Sequence, residues 1–298
     1  MMDRSHQTIA DQLEAVGQSC ASIASLIIEG WKVAITHGNG PQIGYILLRS
    51  EIASRSVPTI PLDVCGSQTQ GEIGYLIQQS LQNELKKRGV ARPVATVITQ
   101  VIVDEKDTAF KNPSKPIGPF YEQKEAKQRE RKHGWKMIED AGRGWRRVVP
   151  SPTPVRIVEL EVIQAALNRG TPTVCLGGGG IPVIEDSRGL RGVEAVIDKD
   201  LSSALLAIGI KADLFLILTS VEKVALNHGK LREKWIKKMS LSQAERYLEE
   251  GHFPAGSMGP KIQAAINYLK NNGKKVLITS PNCAESALLG EGGTSITK

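Results

Sequence analysis

Val33-Ala34-Ile35-Thr36-His37-Gly38-Asn39-Gly40-Pro41-Gln42-Ile43-Gly44 is the stretch whose reading decides the fold. A short apolar run stops at a polar, glycine-bearing turn, and Pro41 then opens a helix. The first N–H groups of a helix have no partner inside it, and the helix dipole favours negative charge there. Glycines at 38 and 40 remove the Cβ atoms that would keep an anion at a distance. The turn therefore suits a phosphate or carboxylate; the alternative is a tight strand-to-helix turn that serves packing alone.

Outward from this turn, strand and helix patterns alternate almost from end to end. Ile9, Leu13, Val16, Ile23, Leu26 and Ile27 fall at helical spacing and predict a first helix that stops at Gly30. A strand over 32–36 follows, then a helix over 68–88 with Lys86, Lys87 and Arg88 ahead of Gly89, the charge sign a helix C-terminus prefers. A strand at 94–103, a helix at 155–169 and a strand at 171–176 continue the rhythm. A hairpin over 181–196, helix 199–208, strand 213–218, helix 258–272, strand 275–279, a short helix and a strand at 294–297 complete it. Such alternation predicts an α/β fold, a mainly parallel sheet covered by helices on both faces. Residues 104–147 break the pattern. That stretch is polar, charged and proline-bearing, and an excursion of this length predicts a lid or a small subdomain.

The chain has 298 residues, enough for about two domains with a substantial core. Its 41% hydrophobic and 23% charged content is that of a soluble globular protein. A formal net charge of +7 suits small anions drawn into a basic cleft. Aromatic residues make up only 4%, and no RNA- or DNA-binding signature is present, which argues against nucleic acid as a partner. The basic run from Lys124 to Lys136 is interleaved with Glu125 and Glu130 and reads as a solvated helix face. No apolar run approaches the roughly 20 residues of a membrane span. The polar, acid-bearing segment from Met1 to Gln18 is unlike a signal or transit peptide, so the expectation is a cytoplasmic protein with no membrane partner. Cys20, Cys65, Cys175 and Cys283 lie far apart, as reduced thiols do, with no zinc-ligand spacing.

Three further segments carry candidate chemistry. Leu176-Gly177-Gly178-Gly179-Gly180-Ile181-Pro182 follows a strand and lets backbone wrap a phosphate closely; a flexible hinge is the alternative. Its spacing fits neither the P-loop nor the dinucleotide fingerprint. In Asp198-Lys199-Asp200, Asp198 can cap a helix, whereas Lys199 in the first turn opposes the dipole. Such local inconsistency marks a site where a lysine could stabilise a migrating phosphoryl group, or a solvated charge cluster. Near Gly256-Ser257-Met258-Gly259-Pro260, Lys261 again falls in the first turn of a helix. Two such lysines beside glycine-rich backbone form a plausible clamp on a polyphosphate. Thr219, Ser220 and Val221, at a strand end, could line a base or ribose. His37 could orient a substrate, His252 could cap or pack, and His6, His133 and His228 read as surface residues. No Ser/His/Asp set stands out.

Together these segments resemble the carbamate kinases of the amino acid kinase family. The resemblance rests on His37-Gly38-Asn39-Gly40-Pro41-Gln42, Pro61-Leu62-Asp63-Val64-Cys65-Gly66, Gln70-Gly71-x-Ile73-Gly74-Tyr75 and Asn112-Pro113-x-Lys115-Pro116-Ile117-Gly118. It continues through Asp140-Ala141-Gly142-Arg143-Gly144-Trp145-Arg146, Val149-Pro150-Ser151-Pro152, the Gly177–Pro182 run, Val196-Ile197-Asp198-Lys199-Asp200 and Gly256-Ser257-Met258-Gly259-Pro260-Lys261. It implies a three-layer α/β/α sandwich with a protruding subdomain, a homodimer, and reversible phosphoryl transfer between ATP and carbamate with Mg²⁺. Residues 1–177 would hold carbamate or carbamoyl phosphate through His37, Gly38, Asn39, Gly40 and Arg143, with the 104–147 subdomain closing Lys115 over them. Residues 178–298 would hold ATP or ADP through Gly178, Gly179, Gly180, Thr219, Ser220, Val221, Gly256 and Met258. Lys199 and Lys261 would neutralise the transferred group, Asp200 would position them, and no side chain is assigned to a metal. A kinase of another small acid, or a carbamoyl phosphate-binding protein without turnover, are the other readings. In one respect the chain departs from the family pattern. Members begin with a strand ending in Gly-Gly-Asn-Ala, whereas this sequence opens with Met1-Met2-Asp3 at the following helix. The resemblance thus implies that about 20 residues, one strand and one glycine loop, are lacking.

Overall fold

The computed structural model describes residues 8–140, 142–254 and 256–298. Met1-Met2-Asp3, His6 and Ala141 lie outside the described residues. The first stretch comprises α1 (Ile9–Ile28), β1 (Ala34–Ile35), α2 (Gly40–Ala53), α3 (Leu62–Lys87), β2 (Ala95–Thr96) and β3 (Gln100–Val103). A capping box starts α1: Thr8 Oγ1 accepts from the Asp11 N–H at 3.2 Å while the Thr8 N–H donates to the Asp11 carboxylate at 2.8 Å. The apolar stripe of α1, with Cys20, Ala24 and Ile27, is buried against Ile73, Ile77, Leu81 and Leu85 of α3.

The excursion is a small antiparallel unit: β4 (Lys115–Tyr121), α4 (Gln123–His133), β5 (Lys136–Glu139) and β6 (Trp145–Val149), with β6 in the middle. Tyr121, Ala126, Met137, Trp135 and Trp145 form its own apolar cluster. The Arg129 guanidinium lies 4.1 Å from the Tyr121 ring centroid and pairs with Glu51 of α2, joining subdomain to body.

The chain returns through β7 (Pro154–Ile157), α5 (Leu160–Asn168), β8 (Thr173–Val174), β9 (Ile181–Asp186), β10 (Gly189–Gly192) and α6 (Lys199–Gly209). β8 lies between β1 and β2 and is parallel to both. β3 and β9 are parallel, flanked by antiparallel β7 and β10. The last stretch holds β11 (Phe215–Leu218), β12 (Val224–Leu226), β13 (Lys234–Ile236), β14 (Lys238–Ser240), α7 (Leu241–Glu249), α8 (Met258–Lys270), β15 (Lys275–Thr279), α9 (Ala284–Leu288) and β16 (Thr294–Thr297). Its sheet runs β11-β15-β16-β14, with β16 antiparallel to β15 and parallel to β14. Ile262, Ala265 and Leu269 of α8 bury against Val276, Ile278 and Ile296 of this sheet. The molecule is an α/β/α sandwich with parallel strand pairs at its centre and the small subdomain protruding. Among the described residues no helix is long and apolar enough to cross a membrane.

Several element boundaries differ from the sequence expectation. The strand expected over 94–103 is two strands in two sheets. Between them Thr99 is fully committed: its N–H donates to Gln70 Oε1 at 2.7 Å, its carbonyl accepts from Ile181 at 2.9 Å, and its hydroxyl accepts from the Leu176 N–H at 3.1 Å. The helix expected from 155 begins at Leu160, because Ile157 pairs with Val101 in the sheet. The helix expected from 68 begins at Leu62, directly after Pro61. The strands expected over 32–36 and 171–176 shorten to two residues each as the chain enters the glycine turns. Over 224–249 the sequence reading carried no expectation, and the structure places β12, β13, β14 and α7 there.

Candidate active site

Because β1 and β8 are parallel neighbours, the turns that follow them lie side by side. The Gly178 N–H donates to the His37 carbonyl at 2.8 Å. Gly178, Gly179 and Gly180 all have positive φ, and a Cβ on any of the three would collide: with Asn39 at 178, with the Ile197 carbonyl at 179, with Val101 at 180. The glycines thus permit close approach of four chain segments, which a mobile hinge would not require. Asn39 stands at the start of α2 without capping it; its amide instead donates to Thr69 Oγ1 at 2.8 Å. That leaves the first N–H groups of α2 uncapped by the Asn39 side chain. Gln70, buried in α3, donates to the carbonyls of Thr99 and Gly177 at 3.1 Å each and so locks the second glycine turn. The imidazole of His37 has Nδ1 3.0 Å from the Gly38 carbonyl. Burial pushes its pKa below the usual 6.5, outweighing the opposite effect of that carbonyl.

The charged cluster forms around the start of α6. Asp198 caps this helix, its Oδ1 accepting from the N–H groups of Asp200 and Leu201 at 2.9 and 3.4 Å. Its Oδ2 accepts from Lys115 Nζ at 2.7 Å, so the first residue of β4 reaches back from the subdomain. Burial raises the Asp198 pKa, but the Lys115 charge and the hydrogen bonds outweigh it and hold the carboxyl below the usual range. Asp200, only 6% exposed, accepts from Lys199 Nζ at 2.8 Å on one oxygen and from Lys261 Nζ at 3.1 Å on the other. Lys261 also reaches the Ser257 carbonyl at 3.4 Å. The Lys199 stem runs over Gly38, its Cδ 3.4 Å from where a Cβ there would stand. Ser202 Oγ donates to the Gly179 carbonyl at 2.7 Å, and Ser203 Oγ lies 2.8 Å from Thr36 Oγ1, which seats α6 against both glycine turns.

The structure therefore brings together His37, Gly38, Asn39, Gly178, Gly179, Lys115, Lys199, Asp200 and Lys261. Three ammonium groups face two carboxylates, leaving one positive charge in excess beside the turns. Arg143 is engaged elsewhere: it pairs with Asp140 at 3.0 Å and lies 5.0 Å from the Phe120 ring, within the subdomain and 57% exposed. The Thr219 N–H continues the β11–β15 pairing by donating to the Thr279 carbonyl at 2.8 Å; Ser220 is exposed and Val221 half-buried. Gly256 is exposed just ahead of α8, and Met258 opens that helix, half-buried, one turn before Lys261. Sequence reasoning assigned no role to Thr69 or Gln70 and missed the Lys115–Asp198 pair. Thr69 carries a visible signal, since it interrupts the i, i+4 stripe of Cys65 and Ile73 with a hydroxyl that the structure buries.

The Amino acid kinase family pattern matches residues 6–280 of this chain. A carbamate kinase of Thermococcus kodakarensis is 50% identical over 294 residues, covering 98% of this chain and 93% of that relative. A carbamate kinase-like protein of Escherichia coli is 49% identical, covering 97% of this chain and 94% of its own. The structure of Giardia lamblia carbamate kinase bound to AMP-PNP superposes with a TM-score of 0.94 at 40% identity, over 100% of this chain and 95% of that one. Likeness at this identity over nearly the whole chain places it in the amino acid kinase family of phosphotransferases.

Proposed function

We propose that this protein is a carbamate kinase, transferring a phosphoryl group reversibly between carbamoyl phosphate and ADP. The observation that carries this reading is Asp200 holding Lys199 and Lys261 on its two oxygens, with the Lys199 stem against Gly38. A phosphoryl group in transfer spreads negative charge over its oxygens, and the protein's task is alignment and charge stabilisation. Two ammonium groups fixed by one buried carboxylate are already oriented for that charge and need no reorganisation during transfer. Lys115 brings a third from the subdomain. Carbamate needs no general base, since its attacking oxygen is already anionic. His37, its protonation disfavoured by burial, serves as an orienting group on the carbamate side with Gly38, Asn39 and Gly40. Arg143, held by Asp140 in the subdomain, would join them only on subdomain closure.

The nucleotide side falls to residues 178–298, with Gly178, Gly179 and Gly180 at the phosphates and Thr219, Ser220, Val221, Gly256 and Met258 toward the nucleoside. Residues 1–177 take the small acid. Magnesium enters as part of the nucleotide substrate: Asp198 and Asp200 are already occupied by lysines, a donor set that suits a metal carried on phosphate oxygens. The working form is read as a cytoplasmic homodimer, which light scattering on the purified protein checks. The decisive experiment supplies carbamoyl phosphate and Mg-ADP and records ATP. Turnover is the expected result. Saturable binding without ATP would establish a binding protein instead, and turnover only with a different acyl phosphate would make it a kinase of another small acid.

A further inference from the structure

Asp198 is given no part in that mechanism beyond starting α6, yet capping uses only half of it. One oxygen serves the two helix N–H groups, at 2.9 and 3.4 Å. An asparagine, serine or threonine would cap as well, with no charge. The second oxygen and the negative charge are surplus to capping, and both are spent on Lys115 at 2.7 Å. The pairing is built into the backbone at both ends. Lys115 is in register with Val149 across β4 and β6, and the Ser114 N–H donates to the Val149 carbonyl at 3.2 Å. The next carbonyl, that of Pro150, accepts from the Val196 N–H at 3.0 Å, two residues before Asp198. At the other edge of the subdomain base, Gly118 lies so close to Gly44 of α2 that a Cβ there would be 3.3 Å from its Cα. The root of β4 is therefore fixed to the body, and what remains free is the four-carbon stem of Lys115.

We infer that Asp198 is a positioning residue for Lys115. It takes one of the three N–H donors of the ammonium group and so aims the other two into the space beside the Lys199–Asp200–Lys261 cluster. A single carboxylate thereby couples the subdomain to the helix that carries Lys199 and its counter-charge Asp200. The inference rests on the reading of Lys115 as a lysine that meets the transferred group.

Asp198→Asn separates the two duties. The amide oxygen still caps α6, but the group facing Lys115 becomes a neutral amide. Asp198→Ser gives a second variant that caps without reaching the lysine. In the ATP-forming assay both variants lower kcat about tenfold or more, while KM for Mg-ADP and the melting temperature stay near those of the parent protein. Lys115→Ala lowers kcat further, and adding Asp198→Asn to it changes nothing more, because the positioning group then has nothing to position. Parental kcat in Asp198→Asn overturns the inference. So does a tenfold loss that reappears in the Lys115→Ala background, which would mean Asp198 acts through the helix alone. A Lys115→Ala protein with full turnover would instead refute the role of Lys115 itself, a failure the single variants distinguish from the first two.

Discussion

Removing the charge of Asp200 tests whether one buried carboxylate organises the site. In Asp200→Asn the side chain keeps its shape while two ammonium groups, 2.8 and 3.1 Å from the carboxylate oxygens, lose their counter-charge. At about 4 Å and an effective dielectric constant near 20, one such attraction is about 4 kcal/mol before desolvation is counted. Breaking a fully buried pair by removing one partner costs about 3–5 kcal/mol. Lys261 is 13% exposed and sits near that limit, whereas Lys199 is 41% exposed and recovers most of its loss from water. The expected net destabilisation is therefore about 2–3 kcal/mol, which lowers the melting temperature by about 5 °C in a chain of this size. A bound polyphosphate restores negative charge beside the lysines. Mg-ADP should then raise the melting temperature of Asp200→Asn by more than it raises that of the parent protein, even though turnover falls. Thermal melts of both proteins across a nucleotide titration read this directly. An unchanged melting temperature, or a nucleotide-induced shift no larger than the parent's, refutes the claim that Asp200 balances the two lysines.

Lys199→Ala and Lys261→Ala should each lower kcat by about 10²–10³-fold, and turnover within a few fold of normal would remove that lysine from the site. The first should keep a near-parental melt, whereas the second should melt a few degrees lower because it leaves the buried Asp200 short of a partner. Gly178→Ala forces a side chain into a left-handed backbone and against Asn39, so a loss of about 1–3 kcal/mol and a raised KM for carbamoyl phosphate are expected in denaturation and steady-state assays. The folded-state pKa of His37 lies below its ordinary 6.5, so the unfolded chain binds the proton more readily. His37 therefore subtracts no stability above about pH 6.5, and stability falls as the pH drops from there toward the lower folded-state value. His37→Gln should flatten that slope in denaturation curves between pH 7 and 5.5; an identical slope in both proteins counts against it. Deleting 294–298 removes a strand from the middle of its sheet, and the 211–293 region should become open to limited proteolysis; continued resistance would show that β14 can close the sheet alone.

Local signals in the sequence marked most of the elements that carry the site. The glycine turns after β1 and β8, the cap at Asp198 and the misplaced first-turn lysines were each visible within a dozen residues, because each conflicts with what its local element would choose. Boundaries failed where partners are distant. The run from Val94 to Val103 looks continuous by composition, and only Gln70 and Ile181, meeting Thr99, divide it between two sheets. Val155 and Ile157 fit a helical pattern until β3 is known to lie beside them. The partner of Lys115 is 83 residues away, beyond the reach of any periodicity. In the 224–249 stretch the three strands are only three residues each, too short to show a period. There α7 carries a legible signal that the sequence reading did not use, a Ser240–Gln243 capping box with Leu241, Ala244 and Leu248 at helical spacing.

The placement of β16 bears on how the molecule is made. Thr294, Ser295 and Ile296 fill the gap between β15 and β14, and the Thr294 hydroxyl joins Val224 to Ile236 from within. Strands from the earlier part of the chain complete their sheets once Asp186 and Gly192 have been synthesised, but the β11–β14 region waits for residues some sixty positions further on. On the ribosome, where folding proceeds from the N-terminus as units complete, the β11–β16 portion should gain protease resistance only after residue 297 has emerged. Arrested nascent chains digested at intervals would show it, and protection of that portion before residue 297 has emerged would contradict it.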